Sequence, residues 1–186
     1  MTYITNLANS MRPRIIEEVI GQQHLIGPNR LLWRMVHAKR LSSILLYGPP
    51  GIGKTSIAQA LSGSTGIDFK HFNASVHGKK ELQAFAKITQ TTQQPLIILL
   101  DEIHRLTRPN QDFLLPFMES GEFIVIGATT ENPYISVAPA IRSRSQILQL
   151  QPLSPHDIKI GLQRAMADTE RGLGSLNLTI PDDALN

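Results

Sequence analysis

The sequence has no cysteine among its 186 residues, which excludes disulfide bonds and thiolate metal sites. Aromatic residues make up only 5% of the chain. No apolar run approaches the roughly 20 residues that a membrane-spanning helix requires. The N-terminal residues lack the basic start and the apolar stretch of a secretory signal. We therefore expect a protein of the reducing cytoplasm, without a membrane partner.

The composition is that of a globular protein, with 41% hydrophobic and 18% charged residues. The length fits one domain, or one domain and part of another. A net charge of +3 permits contact with nucleic acid without establishing it. The six histidines show no spacing expected of a zinc site, so we assign none of them to a metal.

Short apolar runs alternate with helical patterns along the chain, which predicts an α/β fold with a parallel sheet covered by helices. The predicted strands are Ser43–Tyr47, Asp68–Asn73, Leu96–Leu100, Phe123–Ala128 and Ser145–Leu150. The predicted helices are Leu31–Ala38, Lys54–Ser62, Lys79–Gln90 and Pro109–Glu119. In the third of these helices, Leu82, Phe85 and Ile88 recur at helical spacing and are expected to face the sheet.

The pattern changes after the last predicted strand. Ser154, Pro155 and Asp157 have the types and spacing of a helix cap, a first-turn proline and a capping-box carboxylate, which predicts a helical addition. Residues 178–186, "LTIPDDALN", have the pattern of another helix start. Because so short a start buries no apolar face, we expect the sequence to be a piece of a longer protein.

The segment "GPPGIGKTS", Gly48–Ser56, follows the first predicted strand and precedes a predicted helix. Gly48, Gly53, Lys54 and Thr55 satisfy the phosphate-binding loop pattern in spacing and type. Glycines let backbone N–H groups point at a phosphate, at the positive end of the next helix. Lys54 is expected to reach the β- and γ-phosphates and Thr55 to bind Mg²⁺. The alternative is an ordinary turn rich in glycine and proline.

The segment "LIILLDEIHRL" places Asp101 and Glu102 directly after a strand with the pattern of burial on both faces. A phosphate-bound Mg²⁺ needs an acidic partner at the carboxyl end of a neighbouring strand, so Asp101 is the expected metal ligand. Glu102 is the expected general base, which orients and deprotonates an attacking water. The alternative for this pair is an acidic helix cap.

The strand that follows ends in "FIVIGATTENP", where Thr129 and Thr130 succeed apolar positions. Threonine at a strand end is common for structural reasons alone. Because the two preceding motifs predict a phosphate site, we favour Thr130 as a side chain that contacts the γ-phosphate or the attacking water.

These segments together resemble AAA+ ATPases, a class of phosphate-loop NTPases. "GPPGIGKTS", "LIILLDEIHRL", "GATTENP" and "AIRSRSQILQL" stand in the order and spacing of that superfamily. "RPRIIEEVIGQQHLIG" resembles the segment that packs against adenine. "GATTENP", "GQQHLIGP" and "NQDFLLPFMESGEF" are most similar to the RarA (MgsA) family of replication-associated recombination ATPases.

The resemblance implies further roles for single residues. Thr130 is similar to the sensor-1 residue that detects the γ-phosphate. Arg144 resembles the arginine finger that completes a neighbouring subunit's site, and Arg142 is close enough to share that role; without the family, a solvated basic helix end is the favoured interpretation of both. Asn73 resembles the polar switch that holds the glutamate inactive in some AAA+ proteins.

The implied fold is a three-layer AAA+ core around a five-stranded parallel sheet at residues 1–152, followed at 153–186 by the beginning of a helical lid. The implied cofactors are ATP and Mg²⁺, with Thr55 and Asp101 as metal ligands. The implied catalytic residues are Lys54, Asp101, Glu102, Thr130 and Arg144. The implied nucleotide-binding residues are Ile20, Gly21, Gly48, Pro49, Pro50, Gly51, Ile52, Gly53, Lys54, Thr55 and Ser56.

The resemblance implies a DNA-dependent ATPase that acts in replication, recombination and repair at stalled forks, in the nucleoid. Its implied partners are single-stranded, forked or gapped DNA, further copies of the same chain in an oligomer, and, as a further candidate, a single-strand DNA-binding protein. Lys79, Lys80, Arg105 and Arg108 are candidates for a DNA-facing surface, although a solvated face explains them equally well. His104 and Arg105 are candidates for contact with phosphate or a neighbouring subunit, although we favour surface solvation for both.

Two alternatives stay open. The Holliday-junction motor RuvB shares "RP…GQ", "DEIHRL" and "GATT", but differs in the segment that follows "GATT". A non-catalytic scaffold similar to certain clamp-loader subunits keeps the fold and loses hydrolysis. Such subunits tend to lose the loop lysine or the acidic pair, whereas Lys54, Asp101 and Glu102 are all present here.

Overall fold

A computed structural model describes residues 6–176 and 178. Five parallel strands form one sheet in the order β2-β3-β4-β1-β5. The strands are β1 (Ile44–Tyr47), β2 (Phe69–Asn73), β3 (Leu96–Asp101), β4 (Phe123–Thr129) and β5 (Gln146–Gln149). Each lies within a residue or so of its predicted position, so the α/β class and the parallel sheet are confirmed.

The helices occupy the connections between strands and the segments at either end. They are α1 (Leu7–Ser10), α2 (Gln23–Ile26), α3 (Leu31–His37), α4 (Lys54–Thr65), α5 (Lys79–Thr92), α6 (Arg108–Ser120), α7 (Pro133–Ser136), α8 (Pro139–Arg142) and α9 (Pro155–Ala167). All four predicted helices are confirmed. Short 3-10 turns span Ile16–Glu18, Ile103–Arg105 and Gly174–Leu176.

The helical addition begins where the sequence predicts. The Ser154 N–H donates to the Asp157 carboxylate at 2.9 Å, and the Asp157 N–H donates to the Ser154 hydroxyl at 3.1 Å. This reciprocal pair caps α9, with Pro155 in its first turn. The helix predicted from residues 178–186 lies outside the described residues.

Helices cover both faces of the sheet, because alternate side chains of each strand point to opposite sides. On one face Ile97 and Ile126 pack with residues of α2, α3 and α4. On the other face Ile98 and Val125 pack with residues of α5 and α6. Every residue of β4 is buried. The sheet is therefore the middle of three layers, with an apolar core on each side.

Helix α5 uses a slightly different face from the predicted one. Leu82 is fully buried and Phe85 packs against the core, as predicted. Ala86 and Thr89 are the other buried residues of this helix, while Ile88 is only partly buried. The Thr89 hydroxyl also contacts the Glu122 carboxylate at 3.1 Å, which gives a polar residue a partner at this buried position.

The parallel pairing brings the carboxyl ends of the central strands to one edge. Tyr47 of β1 pairs with Thr129 of β4, and Asp101 of β3 pairs with Ala128 of β4 and Asn73 of β2. The three motifs of the sequence therefore follow neighbouring strands at the same edge. Across residues 6–176 and 178, no helix is long and apolar enough to cross a membrane.

Candidate active site

The loop Gly48–Gly53 joins β1 to α4 and turns back on itself at two glycines. The φ angle is 75° at Gly51 and 99° at Gly53, in a region that residues with a side chain rarely adopt. Among the hydrogen bonds of the described residues, none uses the backbone N–H of Gly51 or Gly53. Both groups lie just before the N-terminus of α4, where the helix dipole favours an anion. The loop thus offers free donors to a phosphate.

Lys54, the first residue of α4, folds back over this loop. Its ammonium donates to the carbonyl oxygens of Gly48 and Pro49, each at 2.8 Å. Burial lowers the pKa of Lys54, and the negative charges of Asp101 and Glu102 act in the opposite direction. The Lys54 ammonium therefore lies near both the loop and the acidic pair, and it offers a positive charge to a phosphate group bound at the loop.

The acidic pair sits at the edge of the sheet and not inside it. The side chains of Asp101 and Glu102 are 34% and 35% exposed, so both carboxylates are hydrated at the end of a buried strand. Glu102 adopts φ 56°, an angle uncommon for a residue other than glycine, and its N–H donates to the Asp101 carboxylate at 3.2 Å. The two carboxylates have different partners, His71 for Asp101 and His104 with Arg105 for Glu102.

Thr55 and Asp101 fit a magnesium ion that is bound together with phosphate. Mg²⁺ takes one or two protein ligands there and fills its other positions with phosphate oxygens and water. Asp101 supplies a partly exposed carboxylate, 3.6 Å from Nε2 of His71, and Thr55 lies in the first turn of α4. Within the described residues, no three His, Asp or Glu side chains are grouped as a metal cage.

His104, predicted to be solvated, lies beside the Glu102 carboxylate. The His104 side chain is only 10% exposed, so the prediction that it is solvated is wrong. The 3-10 turn after Glu102 folds the imidazole back onto β4, where its Nδ1 lies 2.9 Å from the Thr129 hydroxyl. Nε2 of His104 lies 3.3 Å from the Glu102 carboxylate. Arg105, also 3.4 Å from that carboxylate, is exposed as expected.

The two threonines after the apolar run of β4 have different surroundings. Thr129 is buried, and its hydroxyl accepts from the N–H of Glu131 at 3.0 Å. Thr130 is exposed just beyond the strand, at the same edge as Asp101. The position of Thr130 suits contact with a ligand, whereas Thr129 serves the protein interior.

Asn73 makes local contacts at the end of β2. Its side-chain oxygen accepts from the N–H of Ser75 at 2.8 Å, and its own N–H donates to Nδ1 of His77 at 3.0 Å. The Glu102 carboxylate contacts His104 and Arg105 instead. The role of Asn73 as a switch stays a prediction.

A cavity of about 240 Å³ lies beside the phosphate loop, where adenine is expected. Ile20 lines it, together with Ile52 and Gly53 of the loop and Leu153 from the segment before α9. Gly21 has φ 70°, a conformation that residues with a side chain rarely adopt, and the Leu153 side chain lies close to it. One cavity is thus lined by five of the predicted nucleotide-binding residues, Ile20, Gly51, Ile52, Gly53 and Ser56.

Arg144 lies just after α8, and its guanidinium turns toward the C-terminal end of α6. Its Nε donates to the Glu119 carboxylate at 2.9 Å, and its Nη1 donates to the Ala140 carbonyl at 2.8 Å. In the described part of the chain, no hydrogen bond or ion pair joins Arg144 to the phosphate loop or to the acidic pair. Arg142 is partly buried, and its Nε has no hydrogen-bond partner there.

A glycine loop before a helix, a lysine at its end and a carboxylate pair on a neighbouring strand define a phosphate-loop nucleotide-binding domain. The family model for the ATPase family associated with various cellular activities (AAA) matches residues 44–153, more than half of the chain. The chain belongs to this family of ATPases.

Within the family, the chain is similar to replication-associated recombination protein A. It is 53% identical to the Bacillus subtilis protein over 96% of this chain and 42% of that protein. It is 37% identical to the Escherichia coli protein over 95% of this chain and 40% of that protein. The chain thus spans about two fifths of the length of these curated relatives.

Among solved structures, a variant of Thermotoga maritima RuvB superposes with a TM-score of 0.74 at 26% identity. The match covers 95% of this chain and 58% of the RuvB chain. It confirms the AAA+ type of phosphate-loop fold that the sequence predicts.

Proposed function

We propose that this chain is the ATP-binding and ATP-hydrolysing part of a DNA-dependent ATPase that acts in replication, recombination and repair at stalled forks. The observation that carries the proposal is the convergence of three motifs at one sheet edge. Free N–H groups of the loop, the Lys54 ammonium and the Asp101–Glu102 pair all lie there.

Each group has a role that its position supports. The N–H groups of Gly48–Ser56 hold the phosphates, and Lys54 supplies a positive charge to the β- and γ-phosphates. Thr55 and Asp101 hold Mg²⁺, which neutralises phosphate charge when bound. Glu102 orients the attacking water and accepts its proton. Thr130 contacts the γ-phosphate from the end of β4. Adenine occupies the cavity beside Ile20 and Gly21.

Arg144 is proposed to act on a neighbouring copy of the chain in a homo-oligomer. An arginine finger stabilises charge on the transferring phosphoryl group. The contacts of Arg144 lie at the surface, on α6 and α8, and not at the chain's own loop. This position therefore fits an arginine that each copy of the chain supplies to the site of its neighbour. Arg142, which is partly buried, is the less suitable of the two.

DNA is the proposed macromolecular partner, because the names of the relatives place them in replication-associated recombination. Lys79 and Lys80 begin α5 and Arg108 begins α6, and all three are exposed, as is Arg105. They offer positive charge to the phosphate backbone. A single-strand DNA-binding protein is a further proposed partner, and the nucleoid within the cytoplasm is the proposed location.

The proposed division of the chain is an ATP-binding core at residues 1–152 and the beginning of a helical lid at 153–186. Helix α9 starts with its own capping box just after this boundary. A RuvB-type motor is the less favoured function, because identity to RuvB is 26% against 53% to the Bacillus relative. The presence of Lys54, Asp101 and Glu102 argues against a scaffold that has lost hydrolysis.

The test compares two single variants of the whole protein. Lys54→Ala should abolish nucleotide binding, because the positive charge on the phosphates is lost. Glu102→Gln should bind ATP with Mg²⁺ normally but hardly hydrolyse it, because only the base is lost. Lys87→Ala and Glu170→Gln, which change exposed side chains elsewhere, are the matched controls.

Nucleotide binding is measured by calorimetry, and hydrolysis by phosphate release with and without DNA. If the Gln variant turns over ATP as fast as the parent protein, Glu102 is not the base. If the parent protein itself hydrolyses no ATP, the proposed activity is wrong.

A further inference from the structure

His104 is a largely buried side chain to which the proposed ATPase chemistry assigns no role. Its imidazole is 10% exposed and lies between the end of β4 and the Glu102 carboxylate. Burial of an imidazole is costly unless its nitrogen atoms have partners. Both ring nitrogens have them: Nδ1 contacts the Thr129 hydroxyl, and Nε2 faces two carboxylates.

The groups that contact the His104 ring determine which of its two nitrogens carries a proton toward Glu102. The carboxylates of Glu102 and Glu131 lie 3.3 and 3.7 Å from Nε2, and a lone pair on Nε2 would be repelled by them. The Thr129 hydroxyl oxygen already accepts from the N–H of Glu131 at 3.0 Å, so its proton is free to donate to Nδ1. Nε2 therefore bears the proton and directs it at the carboxylate of the proposed base.

The same contacts join the proposed base to strand β4. Thr129 is the last residue of β4, it is buried, and it directly precedes Thr130. Arg105 also contacts Glu102, but its side chain is 62% exposed, so water screens that contact strongly. Of these two neighbours of Glu102, His104 is the one whose side chain is largely shielded from water and contacts a buried residue.

We propose that His104 is the positioning residue of Glu102: it holds the carboxylate through Nε2–H and ties it through Thr129 to the end of β4, directly before Thr130. This inference rests on the proposed function, because it assumes that Glu102 is the base. In this role His104 acts through Glu102. It sets where the carboxylate stands, and it links that position to the end of β4.

The geometry suggests two substitutions of His104 that separate its contacts. Glutamine places an amide nitrogen near the position of Nε2 and keeps a donor to Glu102. Asparagine places its amide near Nδ1, so it keeps the Thr129 contact and loses the one to Glu102. Alanine loses both. His156→Ala, an exposed histidine in α9, is the matched control.

In the whole protein, His104→Ala should lower kcat for ATP hydrolysis by about 10²-fold, as expected for a misplaced catalytic group, and leave KM for ATP unchanged. His104→Gln should recover part of the loss and His104→Asn should not. Thr129→Val should lower kcat in the same way, whereas Thr129→Ser, which keeps the hydroxyl, should not.

A second measurement separates positioning from a general structural defect. In the Glu102→Gln background, His104→Ala should cause little further loss, because the group that it positions is already disabled. A general defect would lower the residual rate again. Thermal unfolding of each variant records whether the fold persists. If His104→Ala does not fold, the test is whether His104→Gln has a higher kcat than His104→Asn.

The outcomes distinguish this inference from the proposed function. If Glu102→Gln is inactive while the His104 variants keep the parental kcat, or if Asn restores as much as Gln, His104 does not position Glu102 and the ATPase proposal stands. If the parent protein hydrolyses no ATP, or if Lys54→Ala stays fully active, the failure is that of the proposed function.

Discussion

Arg144 and Glu119 form an ion pair between the end of α8 and the end of α6. Nε of Arg144 donates to the Glu119 carboxylate at 2.9 Å, and Nη2 contacts the same oxygen. The arginine side chain is 35% exposed and the glutamate side chain 52% exposed. The pair is therefore open to solvent, which leaves the guanidinium accessible for the proposed contact with a neighbouring chain's phosphate.

Arg144→Ala should leave ATP affinity nearly intact and lower turnover of the assembled whole protein by about 10³–10⁵-fold, the range known for arginine fingers. Mixing this variant with Lys54→Ala should recover activity, because each variant damages a different half of a shared site. Phosphate release at several mixing ratios is the measurement. No recovery at any ratio would show that Arg144 does not act across an interface.

Glu119→Gln is the matched variant for this experiment. It removes the partner in the same chain and keeps the arginine, so hydrolysis should persist. Because the pair is exposed, the free energy of unfolding should change by less than about 1 kcal/mol. Loss of turnover as severe as in Arg144→Ala would mean that Glu119 has a role of its own at the interface.

The parts of the fold that the sequence predicted well are those that depend on local pattern. Strand β4 is buried along its whole length and β3 up to Leu100, so their apolar runs are long and their bounds are clear. The start of α9 follows from Ser154 and Asp157 alone. The phosphate loop and the acidic pair fall at the sheet edge because the carboxyl ends of parallel strands meet there.

The contacts that the sequence did not predict join residues distant in the chain. His104 is largely shielded from solvent because Glu102 takes a left-handed turn that directs the imidazole at Thr129, 25 residues away. The one local signal was the pair of apolar residues Ile103 and Leu106, both buried, at the spacing of a helical turn. Glu119 meets Arg144 across a gap of 25 residues, which no periodicity encodes.

The pH dependence of stability should reflect an ion cluster between the N-terminal segment and the residues after α9. The N–H of Arg14, and to a lesser degree the guanidinium of Arg171, lower the pKa of Glu18 below its usual 4.5. The N–H of Arg171 lowers the pKa of Asp168 below its usual 3.8. Arg171 lies 3.1 Å from Glu18 and 3.2 Å from Asp168.

A carboxyl group whose pKa is lower in the folded state stabilises the fold at pH values above its unfolded pKa. That contribution is lost as the pH falls through the folded pKa. Chemical unfolding between pH 7 and pH 3 should therefore show a steeper loss of stability in the parent chain than in Glu18→Gln. Glu17→Gln, which changes an exposed neighbour, should follow the parent curve. Parallel curves for the parent and Glu18→Gln would show that the cluster contributes nothing.

The last prediction concerns the contact between α4 and the N-terminal segment at Arg14. A Cβ added at Gly63 of α4 would lie 1.8 Å from the carbonyl oxygen of Arg14, which is backbone and cannot turn aside. The next residue, Ser64, accepts from the Ile16 N–H at 2.7 Å. Glycine at this position therefore allows the N-terminal segment to lie directly on the helix that follows the phosphate loop.

Gly63→Ala sets two effects against each other. Alanine is about 1 kcal/mol better than glycine in a helix interior. Forcing the two segments apart costs more, so we expect a net destabilisation of about 1–3 kcal/mol, as for an overpacked core. Gly161→Ala in α9 is the matched control, because its Cβ would meet only the flexible Ile20 side chain, at 3.3 Å. The free energy of unfolding, measured by chemical unfolding of both variants, should fall for Gly63→Ala alone. If Gly63→Ala is as stable as the parent chain or more stable, the close contact with Arg14 is contradicted.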